Sequence, residues 1–179
     1  MKKTVFILLL MATLLMLVSQ GISCSRGTSA EIVTPQINKA TAPEIDNQAP
    51  DFNVTNLAGR AVALSDFRGK KVLLDFWSVF CDQCNMERDL LEAVHSKYPE
   101  IQLMMVDSKD EIDIVQQFVR NTSSTLPIYI DENRIAASAY DVHIIPKTFL
   151  INSDGVIKYI QDGAFVDQAQ LENALKSLE

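Results

Sequence analysis

The sequence predicts an α/β fold built on a mixed central sheet, and three features point to it. Apolar runs of strand length alternate with stretches of helical periodicity, the pattern of a sheet with parallel neighbours. One run, Val72-Leu73-Leu74-Asp75-Phe76-Trp77, is apolar almost throughout, as a strand covered on both faces must be. Near the C-terminus, residues 148–151 and 156–160 flank Asn152-Ser153-Asp154-Gly155, a hairpin turn that adds antiparallel strands.

The elements follow in order. Residues 52–64 carry apolar side chains on either side of Asn56-Leu57-Ala58-Gly59, which predicts two short strands joined by a turn. After the strand at 72–77, Met86, Leu90, Leu91 and Val94 recur at spacings of three and four and predict a helix over 82–97 with one apolar stripe. Pro99 marks its exit. Residues 101–106 form the next strand, and Asp107-Ser108 are placed to cap a helix containing Ile112, Val115, Phe118 and Val119. A strand at 127–130 and a short helix at 134–140 lead to the hairpin. A last helix begins near Asp167, with Ala169, Leu171, Leu175 and Leu178 apolar. No internal repeat is present. Roughly 130 residues bury a core without disulfide staples.

The N-terminus reads as an export signal. Lys2 and Lys3 precede an apolar run over residues 5–18, too short for a comfortable membrane span and suited to a signal-peptide core. Small and polar residues follow, then Cys24. A cysteine there resembles a bacterial lipoprotein processing site, at which it becomes the lipidated N-terminus, although Gly21 stands where such sites usually carry Leu. An uncleaved anchor and ordinary secretion are the alternatives, and export is common to all three. The domains expected are a signal peptide at 1–23, a flexible tether at 24–49 containing Pro35 and Pro43, and a folded domain at 50–179. The net charge of −7, without clustered Lys and Arg, argues against a nucleic-acid partner.

Chemistry concentrates at Cys81-Asp82-Gln83-Cys84. A strand ending at Trp77 and a helix starting near Cys81 put this segment at a helix N-terminus, where free amides and the helix dipole favour a thiolate. Residues three apart share one helix face and come within disulfide range. Cys81, at the open end, is expected to attack, and Cys84, one turn in, to resolve. Zinc binding needs four ligands, yet there is no second cysteine pair and the two histidines, His95 and His143, stand apart; an inert structural disulfide is the remaining alternative. Asp75 interrupts an apolar strand, and an unpaired buried carboxylate is costly. Either its strand position faces solvent or a basic partner, or it is a buried acid of raised pKa that exchanges a proton near Cys84. Pro146 opens a strand and calls for special geometry, a cis Ile145-Pro146 bond or a strand-edge position.

Leu74-Asp75-Phe76-Trp77, Cys81-x-x-Cys84 and Ile145-Pro146-Lys147-Thr148-Phe149 together resemble the thioredoxin superfamily. Ala49-Pro50-Asp51-Phe52, the stretch from Leu64 to Lys70, Tyr140-Asp141-Val142 and Ile151-Asn152-Ser153-Asp154-Gly155 are similar to its extracytoplasmic TlpA/ResA-like branch, over about residues 48–178. The resemblance implies a three-layer α/β/α thioredoxin-like fold with an N-terminal β-hairpin extension. It also implies Cys81 as attacking and Cys84 as resolving thiol, Pro146 as a cis-proline facing the pair, and the Ile145 backbone as a docking strand for substrate. Asp75 matches thioredoxin's buried acid, Glu87 an acid common in the branch, and Trp77 a residue flanking the active site. Asp82-Gln83 lacks the proline many relatives carry, an acid beside Cys81 disfavours its thiolate, and Arg88 replaces a helix-kinking proline.

The function expected is a thiol-disulfide oxidoreductase that reduces protein disulfides outside the cytoplasm, on the periplasmic side or the cell surface. It needs no cofactor beyond a redox-active Cys81–Cys84 disulfide. Its expected partners are protein thiol and disulfide substrates, apocytochrome c among them by resemblance, and a membrane protein that re-reduces the pair. A peroxiredoxin, suggested by Ser78-x-x-Cys81, and a copper-binding protein using Cys81, Cys84 and His143 are the competing readings.

Overall fold

A computed structural model describes residues 43–179. The leader, Cys24 and the tether before residue 43 lie outside the described residues; among the described ones no helix is long and apolar enough to cross a membrane. Seven strands form one sheet: β1 (Asn53–Asn56), β2 (Ala61–Ala63), β3 (Lys71–Trp77), β4 (Ile101–Asp107), β5 (Ile128–Ile130), β6 (Lys147–Ile151) and β7 (Ile157–Asp162), in the order β2-β1-β5-β4-β3-β6-β7. Strands β3, β4 and β5 run parallel, β6 and β7 complete one side antiparallel, and the β1–β2 hairpin is laid antiparallel on β5. The helices are α1 (Asp82–Lys97), α2 (Ile112–Thr122), α3 (Ile135–Ala139) and α4 (Gln168–Leu175).

The pleat of β3 sorts its side chains between two cores. Leu73 and Trp77 point into the one shared with Cys84, Leu91 and Val94 of α1, Val115 of α2, and Leu171 and Leu175 of α4. Val72, Leu74 and Phe76 point into the other, with Phe52, Ala136 of α3, Tyr140 and Phe149. Each such large side chain, fully buried, contributes about 1.5–3 kcal/mol. Asp75, midway between Leu73 and Trp77, falls by the same two-residue period on the α1 face. The apolar run therefore does bury both faces of β3, and it carries its one acid beneath the cysteine helix.

Three expectations are corrected. In α1 the buried positions are Cys84, Glu87, Leu91 and Val94, whereas Met86 is 77 % exposed. The stripe is rotated by about one residue, because burying Cys84 and holding a 3.6-residue period brings Glu87 inward. At α2, Glu111 occupies the N-cap without a side-chain bond. The Asp107 carboxylate instead accepts the Lys109 and Asp110 amides, both at 2.9 Å, and closes a turn ahead of the helix. Residues 46–49, assigned to the tether, are bound to the β6–β7 hairpin. The Asp46 amide donates to the Ile157 carbonyl at 2.8 Å and the Ala49 amide to the Gly155 carbonyl at 2.8 Å. Lys158 pairs with Asp46. Backbone hydrogen bonds to a distant hairpin leave no trace in local composition.

Candidate active site

Strand β3 ends at Trp77, and Ser78-Val79-Phe80 cross to α1. Cys81 is the N-cap of α1, in extended backbone, and its Sγ receives the Cys84 amide at 3.2 Å. That places the sulfur where the first-turn N–H groups and the helix dipole stabilise negative charge. Cys81 and Cys84 are joined, with alpha carbons 5.2 Å apart. Their surroundings differ: Cys81 is half-buried, and Cys84 is 1 % exposed. An attacking sulfur must be reached and a resolving one need not be, and of the two Cys81 is the one open to solvent.

The loop before β6 closes the other side. The Ile145-Pro146 bond is cis, and the Ile145 carbonyl oxygen lies 4.0 Å from Cys81 Sγ. Pro146 is buried and its carbonyl accepts the Gly163 amide at 2.9 Å, which ties this loop to the end of β7. Beside it a groove of about 510 Å³ is lined by Asp141, His143, Ile144, Lys147, Asp162 and Gly163.

Two acids stand behind the pair. Asp75 is fully buried and faces Thr148 across the β3–β6 register, where the Thr148 hydroxyl donates to Oδ1 at 2.9 Å; Oδ2 has no partner. Burial pushes its carboxyl up to about 7, against the pull of that hydroxyl. Glu87 is 1 % exposed, one turn beyond Cys84 on the same helix face. Burial, reinforced by the charge of Asp75, pushes it up to about 8, although the Phe165 amide donates to Oε2 at 2.9 Å. Asp75 thus faces neither solvent nor a basic partner: its position is buried and its carboxyl raised. Near neutral pH the two carboxyls hold protons that they can release and take back, which is what a proton acceptor for a buried thiol requires.

Trp77, expected to flank the site and bind substrate, shares a buried core with Cys84. It is 2 % exposed and packs on Phe118 with ring centroids 5.3 Å apart, so it offers substrate no surface. Exposed apolar side chains are supplied instead by Phe80, next to Cys81, by Ile144, next to Ile145, and by Val166, next to Phe165. Isolated apolar residues in three separate loops carry no periodicity; only adjacency to Cys81 and Pro146 marked two of them in the sequence.

The competing readings find little support. Ser78 Oγ donates to Asp110 rather than turning to Cys81, unlike the peroxidatic arrangement considered for it. His143 is held by Asp141 at 2.8 Å, and among the described residues no group of three His, Cys, Asp or Glu is arranged to hold a metal ion.

Comparison with known proteins agrees with this geometry. The AhpC/TSA family model matches residues 45–160. The thiol-disulfide oxidoreductase ResA of Bacillus cereus is 36 % identical over 145 residues, covering 79 % of this chain and 82 % of the relative. That of Geobacillus kaustophilus is 32 % identical over 150 residues, covering 83 % and 86 %. Among solved structures, a DsbE-type thiol:disulfide interchange protein from Chlorobium tepidum superposes with a TM-score of 0.70 at 26 % identity, covering 76 % of this chain and 99 % of that one. A helix-capping cysteine pair on a thioredoxin fold, opposite a cis-proline and backed by buried acids, thus stands in a chain that belongs to the AhpC/TSA family as a ResA-like thiol-disulfide oxidoreductase.

Proposed function

We propose that this chain reduces disulfide bonds of exported proteins outside the cytoplasm, held at the membrane through Cys24, with apocytochrome c cysteines as a substrate class. The observation that carries the reading is the contrast between the two sulfurs, one reachable at a helix N-cap and one buried over two acids of raised pKa.

In the reduced protein, Cys81 thiolate attacks one sulfur of a substrate disulfide. The S–S bond breaks, a Cys81–substrate bond forms, and the displaced sulfur leaves as thiolate to take up a proton. Ionised Asp75, beside a protonated Glu87, accepts the Cys84 proton, and Cys84 thiolate then attacks Cys81 Sγ. The Cys81–substrate bond breaks, and the proton passes to the departing substrate sulfur. The second substrate thiol is released and the Cys81–Cys84 bond remains. Two electrons have moved to the substrate, and a membrane dithiol protein must return them. During attack the substrate chain lies along the Ile145 carbonyl, its flanking apolar side chains against Phe80, Ile144 and Val166.

A Cys84→Ser chain expressed in cells tests this. It performs the first attack and cannot resolve it, so mixed disulfides accumulate on Cys81. Exported cysteine-containing proteins and one membrane protein are expected in the trapped set. Recovery of small thiols alone would contradict a protein substrate.

A further inference from the structure

The segment Ser78-Val79-Phe80 joins β3 to Cys81 without belonging to any regular element, and yet it sets where the attacking sulfur stands. Its polar groups converge on one side chain from another part of the fold. Asp110, in the β4–α2 loop, accepts from both the Ser78 hydroxyl and the Val79 amide through the same oxygen, Oδ2, each at 2.8 Å. Ser78 Oγ in turn receives the Phe80 amide at 3.3 Å, and the Ser78 carbonyl receives the Cys81 amide at 3.2 Å. On the far side Asn85 Nδ2 donates to the Val79 carbonyl at 2.9 Å. Asp110 is itself held, because its amide donates to the buried Asp107 carboxylate at 2.9 Å.

We infer that Asp110 is a positioning residue for disulfide exchange: its Oδ2 anchors the Ser78–Val79 segment and so fixes Cys81 Sγ against the Cys84 amide and the Ile145 carbonyl. The inference rests on the exchange reading of Cys81 and Cys84. The hydrogen bonds of Asp110 go to Ser78, Val79 and Asp107 rather than to either sulfur, and it acts through three residues of backbone. Without it the Val79 amide and the Ser78 hydroxyl lose their shared acceptor, and the segment is left to the Asn85 bond and to the Cys81 amide on the Ser78 carbonyl. Misplacement of a reacting atom by about 1 Å can cost up to roughly 10²-fold in rate. The Asp107 carboxyl, which burial pushes up to about 7, adds a titratable support beneath this turn, but the anchoring itself is a matter of acceptor geometry.

The substitutions separate acceptor from charge. Because one oxygen receives both bonds, Asp110→Asn can keep both with its amide oxygen, whereas Asp110→Ala keeps neither. The test is the second-order rate at which the reduced full-length chain opens a small aromatic disulfide at fixed pH, with thermal unfolding followed in parallel. We expect Asp110→Ala to lose about tenfold in rate and Asp110→Asn to stay within about twofold of wild type. We expect Ser78→Ala, which removes one bond and serves if Asp110→Ala does not fold, to lose about threefold. The inference is overturned if folded Asp110→Ala, or Ser78→Ala in its place, reacts at the wild-type rate with only its melting temperature lowered. It is equally overturned if Asp110→Asn is as slow as Asp110→Ala. A wild-type chain that fails to open the small disulfide overturns the exchange reading along with it, whereas reactive wild type beside an equally reactive Asp110→Ala variant removes only the role of Asp110.

Discussion

Cys81→Ser removes disulfide exchange by at least about 10³-fold, because a serine hydroxyl at neutral pH does not provide the anionic nucleophile that a helix-capping thiolate does. The Cys84 amide that lies 3.2 Å from the sulfur is retained in this variant, so the fold is expected to survive while the chemistry is lost. Cys84 cannot take over the attack, since it is 1 % exposed and packed among Trp77, Leu91 and the α4 side chains. Reduction of a model protein disulfide, measured under single-turnover conditions, checks this. Residual activity within tenfold of wild type would mean that Cys84 can reach substrate, contrary to its burial.

Asp75→Asn is expected to slow the resolving step by about 10²-fold near pH 7, the usual worth of a positioned general base. It also changes stability in a way whose sign is fixed. Carboxyls in an unfolded chain ionise near 4, whereas burial holds Asp75 up to about 7 and Glu87 up to about 8. The folded protein therefore keeps protons that the unfolded chain has already released. The stabilisation is complete below about pH 4 and is lost as pH rises through the two folded values. Asp75→Asn removes one of these groups and relieves the repulsion on Glu87, so the decline becomes shallower. From pH 5 to pH 9 the variant should therefore lose less stability than wild type, so the difference between them moves in the variant's favour as pH rises. Urea unfolding between pH 5 and pH 9 reads the difference. Parallel curves for wild type and variant would show that Asp75 ionises at its ordinary value.

These two effects pull in opposite directions, as the proposed proton-accepting role of Asp75 predicts. The Thr148 hydroxyl donates to one Asp75 oxygen, and burial still holds the carboxyl up, so ionising Asp75 costs stability.

Much of this was readable in the residues. The seven-residue strand through Asp75, the cysteine helix, the C-terminal hairpin and the N-terminal strand pair all emerged from periodicity and turn chemistry, since each is specified by neighbours in sequence. Cys81, Cys84 and Pro146 were visible because helix termini and prolines have strong local rules. What stayed hidden was set across the fold. Periodicity alone puts Met86 on the inward side of α1, because nothing local shows the Phe165 amide that donates to the buried Glu87. Trp77 followed the period of β3 into the core, where Phe118 of α2 meets it, and the exposed aromatic at the site is Phe80. Asp110 stands 31 residues from Val79, and no local pattern connects them. Residues 46–49 join the β6–β7 hairpin through backbone atoms, which every sequence possesses, and through an Asp46–Lys158 pair 112 residues apart in the chain.

Equilibrating the full-length chain at a series of glutathione poises, blocking free thiols with an alkylating reagent and weighing the product tests the reversible pairing of Cys81 and Cys84 directly. Both cysteines should gain and lose the label together in one two-electron transition, at a midpoint between about −270 and −120 mV. A pair that stays joined, or stays free, across that whole range would contradict disulfide exchange as the chemistry of this protein.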